Sequence, residues 1–235
     1  MAEDQWGLIT RRQASAAGIP PTTLKRLIRE GALERVASAV YRLAGAPIPE
    51  HLDLRAAWLQ LAPEIPAWDR RPEEGVVSHR SAAALFGLGH LPADQHEFTL
   101  PVRRQSRRSD VRLHRGDVGG SVHLRGLPVT PPSVIVDDLL SEREDPTAVA
   151  HVVADAIREG YERPGAMADV LTSRAGSFGL RPGDGLRLLS WLLDLVGDPD
   201  TARWMAEARE YVGRLEKASP GGTPRSVTGR ARAPA

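Results

Sequence analysis

Thr22, Thr23, Lys25, Arg26 and Arg29 crowd into the run TTLKRLIR, and Arg35 and Arg42 follow soon after it. Hydroxyl, ammonium and guanidinium donors at this density bind oxyanions. Lys and Arg neutralise phosphates, and Arg can also read guanine O6 and N7 through two parallel hydrogen bonds. Hydroxyls at a helix start can share a phosphate with the terminal amides. Between Gly7 and Gly45 the bases Arg11, Arg12, Lys25, Arg26, Arg29, Arg35 and Arg42 meet only two acids, Glu30 and Glu34. The whole chain carries a net charge of only +1, so this positive charge is local. A second basic run, VRRQSRRSDVRLHR, contains Arg103, Arg104, Arg107 and Arg108. It reads as a hairpin arm that offers accessory contacts to the same kind of partner.

Other chemistries find less support. Ser78-His79 lacks the G-x-S-x-G elbow that a serine nucleophile needs; Ser78 reads as a helix N-cap and His79 as a structural or surface residue. His90, His96, His114 and His123 show no ligand spacing, so no metal site is expected. Asp137-Asp138 could bind magnesium in a nuclease, but the sequence after it is helical and Lys occurs only at positions 25 and 217. It reads instead as an exposed acidic helix face. No catalytic residue and no cofactor are expected. The absence of cysteine excludes disulfides, zinc fingers and thiol catalysis and fits a reducing cytoplasm. MAEDQWGLIT does not read as a secretory leader, and no apolar run approaches the ~20 residues of a membrane span.

The elements that must position the basic residues follow from local signals. Thr10 and Gln13 make a capping box for RRQASAA, Gly18 stops that helix, and two prolines turn the chain. Thr22 is the expected N-cap of TLKRLIRE, and Gly31 stops it. Leu24, Leu27 and Ile28 form its apolar stripe. LERV and AVYRLA alternate as a two-stranded wing. Helix, turn, helix and wing is an arrangement that docks on DNA, with the second helix in the major groove. The alternatives are a stand-alone winged-helix transcriptional regulator and a protein-interaction adaptor that does not touch DNA.

Downstream, HLDLRAAWLQLAP reads as a helix with Leu52, Leu54, Trp58, Leu59 and Leu61 as core residues. HEFTLPV, DVRLHRGD and SVHLRGLPVT read as short strands of an antiparallel meander or small sheet. From Thr130 to Lys217 every segment reads as helix, each opened by Pro or Asp. The expected fold is α+β. A winged helix-turn-helix spans residues 1–46. A small mixed α/β sheet and then a helical bundle fill residues 47–217, and a Gly/Pro/Ser/Arg tail over 218–235 is disordered.

GLITRRQASAAGIPPTTLKRLIREGALERVASAVYRLAGAP resembles the N-terminal winged helix of AbiEi-type antitoxins, the antitoxin half of type IV toxin–antitoxin systems. The likeness continues through VVSHRSAAALFGLGHLP, HEFTLPVRR, VRLHRGDV and GLPVTPPSVIVDDLL. It implies a cytoplasmic bacterial protein that binds double-stranded DNA at its own promoter and represses it. It also implies a nucleotidyltransferase toxin as functional partner, antagonised without a stable complex. Carried over by position, the DNA contacts are Thr22, Thr23, Lys25, Arg26 and Arg29, with Arg35 and Arg42 on the wing. Inverted-repeat operators would call for a homodimer on DNA. The family has a longer first helix where this chain has MAEDQW, which leaves Trp6 to cover the core, and Gly in the wing turn where this chain has Ala39.

Overall fold

The computed structural model describes residues 2–218 of a chain that divides into two compact units, Met1–Glu162 and Arg163–Ala235. All but the first residue of the tail expected to be disordered lies outside the described residues. The fold is α+β, as the sequence implies. The first unit holds both the winged-helix segment and the small mixed sheet.

The winged-helix segment runs β1 (Leu8–Thr10), α1 (Arg11–Ala16), α2 (Pro21–Arg29), β2 (Leu33–Ala37) and β3 (Val40–Leu43). The strands form an antiparallel sheet in the order β1-β3-β2. The Thr10–Gln13 capping box is present, with the Gln13 amide donating to Thr10 Oγ1 at 3.1 Å and the Thr10 amide to Gln13 Oε1 at 3.0 Å. Gly18 (φ +78°) closes α1: Ile19 N donates to Ala14 O and Gly18 N to Ser15 O. Thr22 does not cap α2. Pro20 takes the cap position and Pro21 the first turn, because a ring that fixes φ and lacks an N–H suits that turn. Thr22 therefore lies inside the helix.

Alternation along the strands sends Ile9 and Tyr41 toward α1 and α2, where Ala14, Leu24 and Leu33 complete a core. Leu8 and Val40 point to the opposite face and are also fully buried. The covering element is α3 (Leu52–Leu61), which touches all three strands. Its residues Leu54, Trp58, Leu59 and Leu61 are buried as expected. Trp6 does not cover the core alone: it is half-buried and meets Trp58 edge-on at 6.1 Å. Buried Gln5 and Gln13 exchange amide hydrogen bonds at 2.9 and 3.2 Å and bind the chain after α3 at Ala67 N and Ile65 O.

Two arginines finish α3. Arg70 donates to the carbonyls of Trp58 (2.5 Å), Leu59 (2.6 Å), Ala62 (2.5 Å) and Ile65 (3.1 Å), and its guanidinium lies 4.3 Å over the Trp58 ring. Arg104 donates to Leu61 O at 2.6 Å. Cations at a helix C-terminus satisfy orphan carbonyls and oppose the negative end of the dipole. Burial pushes the Arg70 guanidinium down to about 10, so it stays charged at neutral pH.

The second sheet comprises β4 (Val76–Val77), β5 (His96–Leu100), β6 (Val111–Arg115), β7 (Val122–Leu124) and β8 (Leu127–Val129), in the order β6-β5-β4-β8-β7. It is not an antiparallel meander. β5 and β6 run parallel, as do β4 and β8. The arginine run is therefore no hairpin arm but the loop that carries the chain back between parallel strands. Such a return is longer than a tight turn allows, and side chains pin it: Arg104 to α3, and Gln95 Nε2 to Ser109 O at 2.5 Å. SVHLRGLPVT is not one strand but the β7–β8 hairpin, turning at Arg125 (φ +51°) and Gly126 (φ +81°). α4 (His79–Phe86) packs on β5 and on α5 (Pro132–Ser141), which packs on α6 (Pro146–Arg158).

The second unit is helical: α7 (Pro164–Leu171), α8 (Gly185–Leu195) and α9 (Thr201–Ala218). Glycine sets its helix spacing. A Cβ on Gly165 would lie 2.3 Å from Tyr211 on α9, and one on Gly185 would lie 2.0 Å from the Ala168 carbonyl of α7.

Candidate nucleic-acid interface

On α2 the residues Thr22, Lys25, Arg26 and Arg29 recur at i, i+3, i+4 and i+7, so they share one face. All four are exposed, and Thr23 beside them is half-buried. Leu24, Leu27 and Ile28 hold the opposite face to the core. Arg26 pairs with Glu30 at 2.8 Å, an exposed i, i+4 bridge that costs little to release. The side chains of Lys25 and Arg29 make no ion pair or hydrogen bond among the described residues. The helix thus presents a cationic stripe whose positions are fixed by packing on the other side.

The wing is built differently from the expectation. Arg35 is exposed on β2, its Nε 3.4 Å from Ala37 O. Arg42 is 8% exposed: it faces Glu34 across the β2–β3 register, pairs with its carboxylate at 2.5 Å and donates to Ala46 O. The structure therefore does not bring Arg42 onto the outer surface. An inward position on β3, opposite Leu8 of β1, is the reason. The wing turn closes over Ala39 at φ +58°, a left-handed conformation that costs a residue with a Cβ roughly 1–2 kcal/mol. Its carbonyl accepts from Arg11 N at 2.8 Å, which ties the turn to the start of α1. Ala39→Gly should raise stability by about 0.5–1 kcal/mol, the relief of strain less the entropy of a freer unfolded chain. Urea unfolding measures it, and a decrease would mean the turn is not strained.

The second basic run lies beside this wing. Gln60 on α3 donates from Nε2 to Ser38 O in the wing turn at 2.5 Å, and its Oε1 accepts from Arg108. Arg108 also pairs with Asp110, and Arg104 is turned onto α3. These two hold the loop, while Arg103 and Arg107 are exposed on it. The sequence does not single out Gln60, because a lone amide in an apolar helix carries no signal of its partners.

The other residues weighed in the sequence sit elsewhere. Ser78 occupies the N-cap of α4, but its Oγ lies 3.0 Å from His79 Nδ1 rather than on the helix amides. Burial, with His114 and Arg112 nearby, pushes the His79 imidazole down to about 3. The ring is neutral at physiological pH, so its approaches to Asp138 (3.6 Å) and Glu142 (4.0 Å) are not ion pairs there. Asp137 and Asp138 are half-buried, not an exposed acidic face. No helix of the described residues is long and apolar enough to cross a membrane.

No curated protein matches the chain. Residues 1–44, the span from the first residues through β3, match the family model described as "Transcriptional regulator, AbiEi antitoxin".

Proposed function

We propose that this protein is the DNA-binding antitoxin of a type IV toxin–antitoxin system and the repressor of its own operon. It works in the cytoplasm, without catalysis or cofactor, against a nucleotidyltransferase toxin that it need not bind stably. The observation that carries this reading is the exposed stripe of Thr22, Lys25, Arg26 and Arg29 on the second helix of a winged-helix arrangement. The family match over the same segment supports it.

In the proposed complex α2 enters the major groove. Arg26 and Arg29 reach base edges and phosphates, with Thr22, Thr23 and Lys25 on the backbone. Arg35 on the wing, with Arg103 and Arg107 on the adjoining loop, extends the phosphate contact. Arg42, Arg104 and Arg108 serve by holding wing and loop in place. Two copies on an inverted repeat would complete the operator complex.

Titration of the purified protein against its own upstream DNA and an unrelated duplex, at low and moderate salt, tests the proposal. Preferential binding is expected, with log K falling by about 0.9 per log unit of salt for each phosphate neutralised. Equal affinity for both duplexes at both salts would remove the repressor role. Absence of any binding would make the stripe a docking face for an acidic protein. Growth rescue on co-expression with a neighbouring nucleotidyltransferase tests the toxin half separately.

A further inference from the structure

Four residues on four different elements of the first unit converge beneath the second sheet. His79 opens α4, Glu97 lies on β5, His114 on β6, and Glu142 caps the end of α5. One nitrogen or oxygen from each lies within 4.8 Å of all the others. The imidazoles of His79 and His114 stack at 3.6 Å with 14° between their planes. His114 Nε2 is 2.7 Å from Glu97 Oε2, and its Nδ1 is 3.4 Å from Glu142 Oε1.

The register explains the convergence. Glu97 pairs with Arg112 and Thr99 with His114 across parallel β5 and β6, so all four project from one face of the sheet. Two features there carry a cost of their own. Glu97 is a carboxylate only 3% exposed, and the His79 backbone is left-handed at φ +52°. Thr99 Oγ1, beside His114 on that face, is buried with no hydrogen-bond partner among the described residues. Arg112 is the cation that faces the set, 2.6 Å from Glu142, but its side chain is 49% exposed and can turn to water.

We propose that His79, Glu97, His114 and Glu142 bind a divalent first-row transition metal ion, with Zn2+ as the simplest case. Two imidazoles and two carboxylates form the donor set such ions take, and a tetrahedral ion with bonds of about 2.0–2.2 Å would draw the four atoms together. With four protein ligands the site has no open position, so the ion is structural: it clasps both parallel strands to the start of α4 and the end of α5. The spacing of these residues in sequence gives no metal motif, which is why the sequence alone implies none.

The test uses the full chain, stripped with a chelator and titrated calorimetrically with Zn2+, then with Co2+ followed by its visible spectrum. One Zn2+ per chain is expected, together with Co2+ bands of nitrogen and oxygen ligation without sulfur charge transfer, since the chain has no cysteine. Glu142→Gln, at a partly exposed helix end, should weaken Zn2+ at least ~10-fold with the circular dichroism spectrum unchanged. His114→Gln should do the same where it folds. His90→Gln, which alters the exposed His90–His151 pair, should leave binding as it is. A folded wild type that binds no Zn2+, or a Glu142→Gln variant weakened less than ~10-fold, overturns the proposal.

Discussion

Arg70→Ala should lower the stability of the first unit by about 3–5 kcal/mol. The side chain donates to four carbonyls around the end of α3 and covers the Trp58 ring at 4.3 Å. Its removal leaves carbonyls of Trp58 and Leu59 without their cap, at about 1–3 kcal/mol for each buried group left unmade, and forfeits a cation–π interaction of roughly 1 kcal/mol. Water entering the space will recover part of the loss, which sets the lower end of the range. Arg70→Lys should recover less than half, because an ammonium cannot reach several carbonyls in one plane. Urea unfolding followed by tryptophan fluorescence reads the effect, with Trp58 as a local reporter. A loss below about 1 kcal/mol would show that α3 does not depend on this cap.

The second large effect is expected on binding. Lys25→Ala together with Arg29→Ala should weaken the complex with upstream DNA roughly 100-fold at low salt, at 1–3 kcal/mol for each charged side chain removed. The salt slope should flatten by about 2, one for each phosphate no longer neutralised. Both side chains are exposed, and their helix is held by Leu24, Leu27 and Ile28 on the other face, so the unfolding midpoint should not move. The paired readout discriminates: weaker binding with unchanged stability places α2 on DNA, whereas unchanged binding moves the DNA-facing surface elsewhere.

Legibility in the sequence follows the range of the interactions. The Thr10–Gln13 capping box, the Gly18 and Gly31 stops and the cationic stripe of α2 depend on residues within a few positions of one another, and all are readable. Thr22 reads as a cap but is not one, because two prolines ahead of it compete for the helix start, and the ring wins. The parallel pairing of β5 with β6 is not legible, because a polar connection of moderate length suits a hairpin equally well until α3 supplies Leu61 O to anchor it. Arg42 reads like any other wing arginine. Only the register that sets it opposite Glu34 and Leu8 shows that it is interior. The histidine–glutamate cluster is hidden for the same reason, since its members come from four separate elements.

The recognisable segment ends at residue 44, but the sheet within it is closed on one side by α3, and α3 by Arg70. The portion that similarity detects is therefore shorter than the portion that can be inherited as a working piece. A recombination joint at the edge of the match would separate Leu8 and Val40 from the helix that shields them. Exchange of this whole N-terminal portion between genes would be tolerated only with the joint placed beyond Arg70. Variation that leaves this assembly intact should therefore fall chiefly on the outer face of α2, where four exposed positions can change without disturbing the packing beneath.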